Sequence, residues 1–138
     1  MPAPQPCQWP ITQLPGLSSQ EQTQLQSIGI HTTFELLRHT RTPEQRQKLA
    51  QTVDVRPQII HKWATLADLA RVPEVGCQYC GLLLHAGIAS VGQLAQCQPP
   101  ALQKQVFRLH QVLLQRRDLC PSLGLVQRWI AQAKQLRP

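Results

Sequence analysis

The sequence predicts an all-α fold of about eight to nine short helices packed as one compact domain, and three observations lead to that expectation. Leucine occurs 20 times while aromatic residues make up only 4% of the 138-residue chain, a composition that fills helical stripes better than the faces of a sheet. Three patterns, Ser18-x-x-Glu21, Thr32-x-x-Glu35 and Thr42-x-x-Gln45, fit a capping box, in which the hydroxyl accepts from an orphan amide and the third residue returns a bond to the cap. The third observation is internal duplication. Residues 14–37 lie on residues 72–95 at a constant offset of 58 with no gap, and Pro15/Pro73, Gln20/Gln78, Leu25/Leu83, Gly29/Gly87, Ile30/Ile88 and Leu36/Leu94 are identical pairs.

The elements follow in order. Residues 1–13 hold Pro2, Pro4, Pro6 and Pro10 and no periodic pattern, so they read as a Pro-rich mobile arm whose end Trp9 and Ile11 pin. A first repeat over 14–71 has expected helices at 19–28, 33–38, 43–52, 57–64 and 66–71. Pro43 suits a first helical position, and Gly29 suits a left-handed helix end. A second repeat over 72–138 has expected helices at 77–86, 91–96, 100–116 and 122–135. IIHKWA (59–64) matches LVQRWI (125–130), which gives Trp63 and Trp129 equivalent places. The simplest reading makes both core anchors, and the alternative makes them an exposed interaction hot spot. Neither repeat is large enough to bury its own apolar face, so the two are expected to pack on each other.

Composition excludes several classes. The chain has no run of 18 apolar residues and no basic, apolar leader, so neither a membrane span nor a signal peptide is expected and the location reads as cytoplasmic. Five cysteines without a secretion signal read as thiols. No nucleophile motif, phosphate-binding glycine loop or paired acidic cluster occurs, and the five histidines, at 31, 39, 61, 85 and 110, are scattered, so no enzyme activity and no cofactor are expected.

Val72-Pro73-Glu74-Val75-Gly76, followed by a helix and then by Ala86-Gly87-Ile88-Ala89-Ser90-Val91, resembles a helix-hairpin-helix element. Leu14-Pro15-Gly16-Leu17 and Ile28-Gly29-Ile30-His31-Thr32-Thr33 form the first copy. Residues 14–135 as a whole resemble a bacterial family of unknown function built from two such repeats. WATLADLARVPEVG (63–76) and the segment from Ser122 to Leu136 are the most telling stretches. The resemblance implies tandem helix-hairpin-helix-like repeats. It also implies a sequence-independent contact to nucleic acid, in which amides at the start of the hairpin's second helix hold a backbone phosphate with help from the helix dipole.

On that reading the amides of Gly76, Cys77 and Gln78 form the anion site. The usual Gly-x-Gly is incomplete in both copies: Ser18 replaces the second glycine of the first, and Glu74 replaces the first glycine of the second, where its carboxylate would repel a phosphate. Tight helix connection alone is the competing role for these hairpins.

Charge points toward an anionic partner. The formal net charge is +7, with 14 basic and 7 acidic residues. Residues 1–69 hold six basic and five acidic side chains and residues 70–138 hold eight and two, so the excess sits in the second repeat. Arg71 precedes its hairpin, and Lys104, Arg108, Arg116 and Arg117 lie along one expected helix, with Lys104, Arg108 and Arg116 on one side of it. A solvated helix face is the plainer reading of the same residues.

Cys77-Gln78-Tyr79-Cys80 is a CxxC at an expected helix start, where amides lower a thiol's pKa, so Cys77 and Cys80 are weak candidates for metal or redox chemistry. A zinc site needs two more ligands, and Cys97, Cys120, His85 and His110 stand at irregular spacings. Cys80 reads equally as a small buried hydrophobe. Two functions stay open at this point. One is a non-enzymatic module that binds the DNA or RNA backbone without regard to sequence. The other is a helical adaptor or assembly factor that docks on a protein partner, such as an acidic one, and binds no nucleic acid.

Overall fold

The computed structural model describes residues 6–113 and 121–136, the side chains of 110–113 excepted. After a short 3-10 turn at Ile11–Gln13 the chain forms α1 (Ser19–Ser27), α2 (Thr33–Arg38), α3 (Pro43–Val53), α4 (Pro57–Ala70), α5 (Gly76–His85), α6 (Val91–Ala95), α7 (Pro99–Leu113) and α8 (Leu123–Leu136). Among the described residues the β pairing is confined to one isolated antiparallel bridge, Pro10 to Thr32. The fold is all-α with about eight helices, as the composition and caps predict.

The caps do what their chemistry requires. Ser18 Oγ accepts from the Glu21 amide at 3.1 Å while Glu21 Oε1 accepts from the Ser18 amide at 2.9 Å. Thr42 and Gln45 repeat the exchange at 3.1 and 3.2 Å. Thr32 caps α2 through the Glu35 amide, but Glu35 Oε1 reaches one residue further back, to the amide of His31 at 3.1 Å. Ser90 and Gln93 do the same at α6, where Gln93 Oε1 takes the Ala89 amide at 2.9 Å. These bonds satisfy amides that a helix start otherwise leaves without an acceptor.

The helix ends are shared as well. Gly29 and Gly87 both adopt φ +90°, and the residue after each sends its amide back to the helix: Ile30 to the Leu25 carbonyl at 2.9 Å, Ile88 to the Leu83 carbonyl at 3.0 Å. This left-handed closure turns Ile30 and Ile88 into the core.

α4 differs from expectation, because the anticipated break between 64 and 66 is absent and one 14-residue helix runs through. No glycine or proline interrupts that stretch. Thr65, the poor helix former at its centre, spends its hydroxyl on the His61 carbonyl at 3.0 Å and is buried. α4 packs on α2, α3 and α5, and α8 packs on α6 and α7. Trp63 and Trp129, 1% and 0% exposed, lie in these two inner helices and are core anchors, not surface hot spots.

Residues 7–13 do not hang free of the fold as a mobile arm would. The Cys7 amide donates to the Arg71 carbonyl, the Ile11 amide to the His31 carbonyl, the Thr33 amide to the Trp9 carbonyl and the Trp9 amide to the Thr33 hydroxyl, each near 3 Å. Ile11 is fully buried, so the sequence expectation for Trp9 and Ile11 matches the structure. A further tie joins the chain's halves: Asp68 on α4 accepts the amide of Val91, the first residue of α6, at 2.9 Å.

Candidate nucleic-acid interface

The turn between α4 and α5 is the segment that the sequence marks as an anion site. Val72 and Val75 are buried, and the Gly76 amide donates to the Val72 carbonyl at 3.0 Å. Gly76 has φ +51°, and the indole of Trp9 lies against it so closely that a Cβ would fall 2.8 Å from Cζ2. The indole N–H donates to the Ala70 carbonyl at 2.7 Å, which fixes the ring in place. Gly76 is thus engaged within the fold on two sides. Its amide already has an acceptor, and an aromatic ring takes the approach that a small residue would leave open. Cys77 is half-buried against the core, whereas Gln78 is exposed.

Glu74 also takes a different role from the one expected. Its Oε2 accepts from Arg128 Nε at 2.7 Å and its Oε1 from Gln132 Nε2 at 3.2 Å. Its amide donates to Gln132 Oε1 at 3.1 Å, and its carbonyl accepts from Trp129 Nε1 at 3.1 Å. One residue of the turn is thus held by three residues spaced along one face of α8. The carboxylate faces α8 and is neutralised there by Arg128. Tyr79 of α5 adds a ring contact to Trp129, with centroids 5.1 Å apart.

Lys104 and Arg108 are exposed and stand one turn apart on α7, opposite the buried Leu102 and Val106. Arg116 and Arg117, named with them from the sequence, lie outside the described residues. Arg71 is largely covered and pairs with Asp68, Nη2 to Oδ1, at 2.7 Å. Beside it the structure gathers two cations that the charge count by halves passes over. Arg38 and Arg41 line one cleft with Arg71, together with Phe34, Leu37, Ala64 and Asp68. The first half counts as nearly neutral because it has five carboxylates, but most of them stand elsewhere. Glu21 and Glu35 serve caps, Glu44 sits in the first turn of α3, and Asp54 ends α3. The only sequence signal for the cluster is the Arg38-x-x-Arg41 spacing at the end of α2.

A family model described as "Domain of unknown function (DUF4332)" matches residues 15–136. The chain belongs to the DUF4332 family. No curated protein and no solved structure matches the chain. The family span includes both glycine turns and ends with α8, and it leaves out Trp9, the residue that covers Gly76.

The CxxC of this DUF4332 domain does not have the low pKa expected of a helix-start thiol. Burial pushes the Cys77 thiol up to about 11. Cys80, fully buried, is pushed up to about 12 by burial and then by its neighbour Cys77. The local amides are outweighed because both sulfurs pack into the apolar interior. Burial raises the Cys97 thiol as well. Cys7, Cys77, Cys80 and Cys97 are free thiols. Among the described residues no three His, Cys, Asp or Glu side chains are grouped so that they could hold a metal. Cys120 and the His110 side chain lie outside that set. No helix of the described residues is long and apolar enough to cross a membrane.

Proposed function

We propose that the domain is a non-enzymatic binding module of tandem helix-hairpin-helix-like repeats that holds a nucleic-acid backbone without reading its sequence. One observation supports this most. Among the described residues only Arg71 and Arg128 are ion-paired, so every other described Lys and Arg keeps its charge for an external anion. With a formal net charge of +7, that surplus favours a polyanion. The contact relies on exposed side chains such as Lys104 and Arg108 rather than on the Gly76 amide. Beside these cations α7 exposes a single aromatic side chain, Phe107, too few for a stacking platform, which favours phosphate contact over base stacking.

A salt titration of binding to labelled duplex and single-stranded DNA tests the reading. Affinity is expected to fall as a power of salt concentration, and reversing Lys104 and Arg108 to Glu should flatten that slope. Absence of binding at about 50 mM salt, or an unchanged slope in the double variant, overturns it.

The seal over the second hairpin favours a second reading. Trp9 on one side and α8 on the other leave that turn looking like a structural connector, as in a protein adaptor. Protein that co-purifies from native lysate and persists after nuclease treatment would favour the adaptor.

A further inference from the structure

The cleft between α2 and α4 contains a charge pattern that backbone binding does not require. Its volume is about 470 Å³, within the range of small-molecule sites. Phe34, Leu37 and Ala64 give it an apolar wall, and three arginines, Arg38, Arg41 and Arg71, line it as well. Asp68 is the one carboxylate in the lining, and both its oxygens are engaged, Oδ1 by Arg71 and Oδ2 by the Val91 amide. The surplus is thus two positive charges.

Donors exceed acceptors here. Arg71 Nε is buried and has no hydrogen-bond partner among the described residues. Arg38 and Arg41 are exposed and make no ion pair with a described carboxylate. Arginine suits oxyanions because its planar fork offers parallel N–H donors. A carboxylate or a backbone phosphodiester supplies one negative charge, half of the surplus, whereas a phosphomonoester at neutral pH supplies close to two. A bare ion would leave the Phe34 and Leu37 wall uncovered, so an organic body attached to the phosphate fits better.

We propose that this cleft binds an organic phosphomonoester, with Arg38, Arg41 and Arg71 on the phosphate and the carbon body against Phe34 and Leu37. A free small molecule and the 5′ end of a nucleic-acid strand both present such a phosphate, and the experiment separates these sources.

Calorimetric titration of the full chain with thymidine 5′-monophosphate and with thymidine gives the first arm. Single-stranded oligothymidylate with a 5′-phosphate and with a 5′-hydroxyl gives the second. Binding that needs the phosphate in the first arm assigns a small molecule, and phosphate-dependent tightening in the second arm alone assigns a strand end. The Arg38→Ala/Arg41→Ala double variant is expected to weaken phosphate-dependent binding by tenfold or more while keeping the thermal midpoint, because both side chains are exposed. Phosphate independence in both arms, or an unchanged affinity in the double variant, overturns the proposal. Lys104 and Arg108 do not line the cleft, so their reversal tests backbone binding separately.

Discussion

The Trp9 indole and Gly76, 67 residues apart in sequence, are in such close contact that the absence of a side chain at 76 is a packing requirement as well as a conformational one. Gly76→Ala meets both a left-handed φ of +51° and the ring. The substitution is expected to destabilise the domain by about 2 kcal/mol or more. Gly87→Ala, at φ +90° but with open space, should cost only about 1 kcal/mol. In a Trp9→Ala background the Gly76→Ala penalty should shrink toward that of Gly87. Urea midpoints measure all three, and additive losses would show that the ring contact contributes nothing.

Glu74→Gln tests whether that carboxylate opposes a bound phosphate. Arg128 already neutralises it at 2.7 Å, so DNA affinity is expected to change by less than about twofold. A tenfold gain would mean that Glu74 faces the ligand. Stability should also change little, by about 1 kcal/mol or less, since the pair is partly exposed.

Trp129→Phe keeps a ring in the core but removes the donor to the Glu74 carbonyl, for an expected loss of about 1–2 kcal/mol. Trp129→Ala and Trp63→Ala should each cost about 3–5 kcal/mol. Because α4 packs directly on α5, either loss should lower a single cooperative transition in both fluorescence and circular dichroism. Two separated transitions would show halves that unfold independently.

Cys77 and Cys80 should react slowly with iodoacetamide. With its pKa near 11 in place of 9.0, Cys77 holds roughly a hundredfold less thiolate at pH 7–8 than an unperturbed thiol. Mass spectrometry of a timed alkylation should show urea accelerating it strongly. The sign for stability follows from the same shift. The unfolded chain loses these thiol protons first, so the fold keeps their contribution below pH 9 and loses it as pH rises toward 11 and 12. A thiol that alkylates at full rate in the native state would contradict the burial.

Helix starts were legible because a cap is a local device, with Ser18, Thr32 and Thr42 each bonding within three or four residues. The continuity of α4 was not, since Thr65 is a weak helix former in isolation and only its bond to His61 and its burial absorb it. The seal on Gly76 was hidden for a similar reason. Trp9 and Gly76 are joined by tertiary packing, and nothing in the local pattern of either residue names the other. The partners of Glu74 on α8 were not legible either, because the repeat offset matches positions without saying which helix faces them. The arginine cleft was hidden because Arg38 and Arg71 stand far apart along the chain although the fold brings them to one cleft.

The contact between Trp9 and Gly76 also sets an order of events during synthesis. At about 5–20 residues per second, Gly76 is made roughly 3–13 s after Trp9. Until then the indole has neither the Ala70 carbonyl nor the glycine surface that receives it. The segment around Trp9 thus completes its packing only after the second turn has been translated, and a nascent chain stopped before that point keeps Trp9 without its two partners.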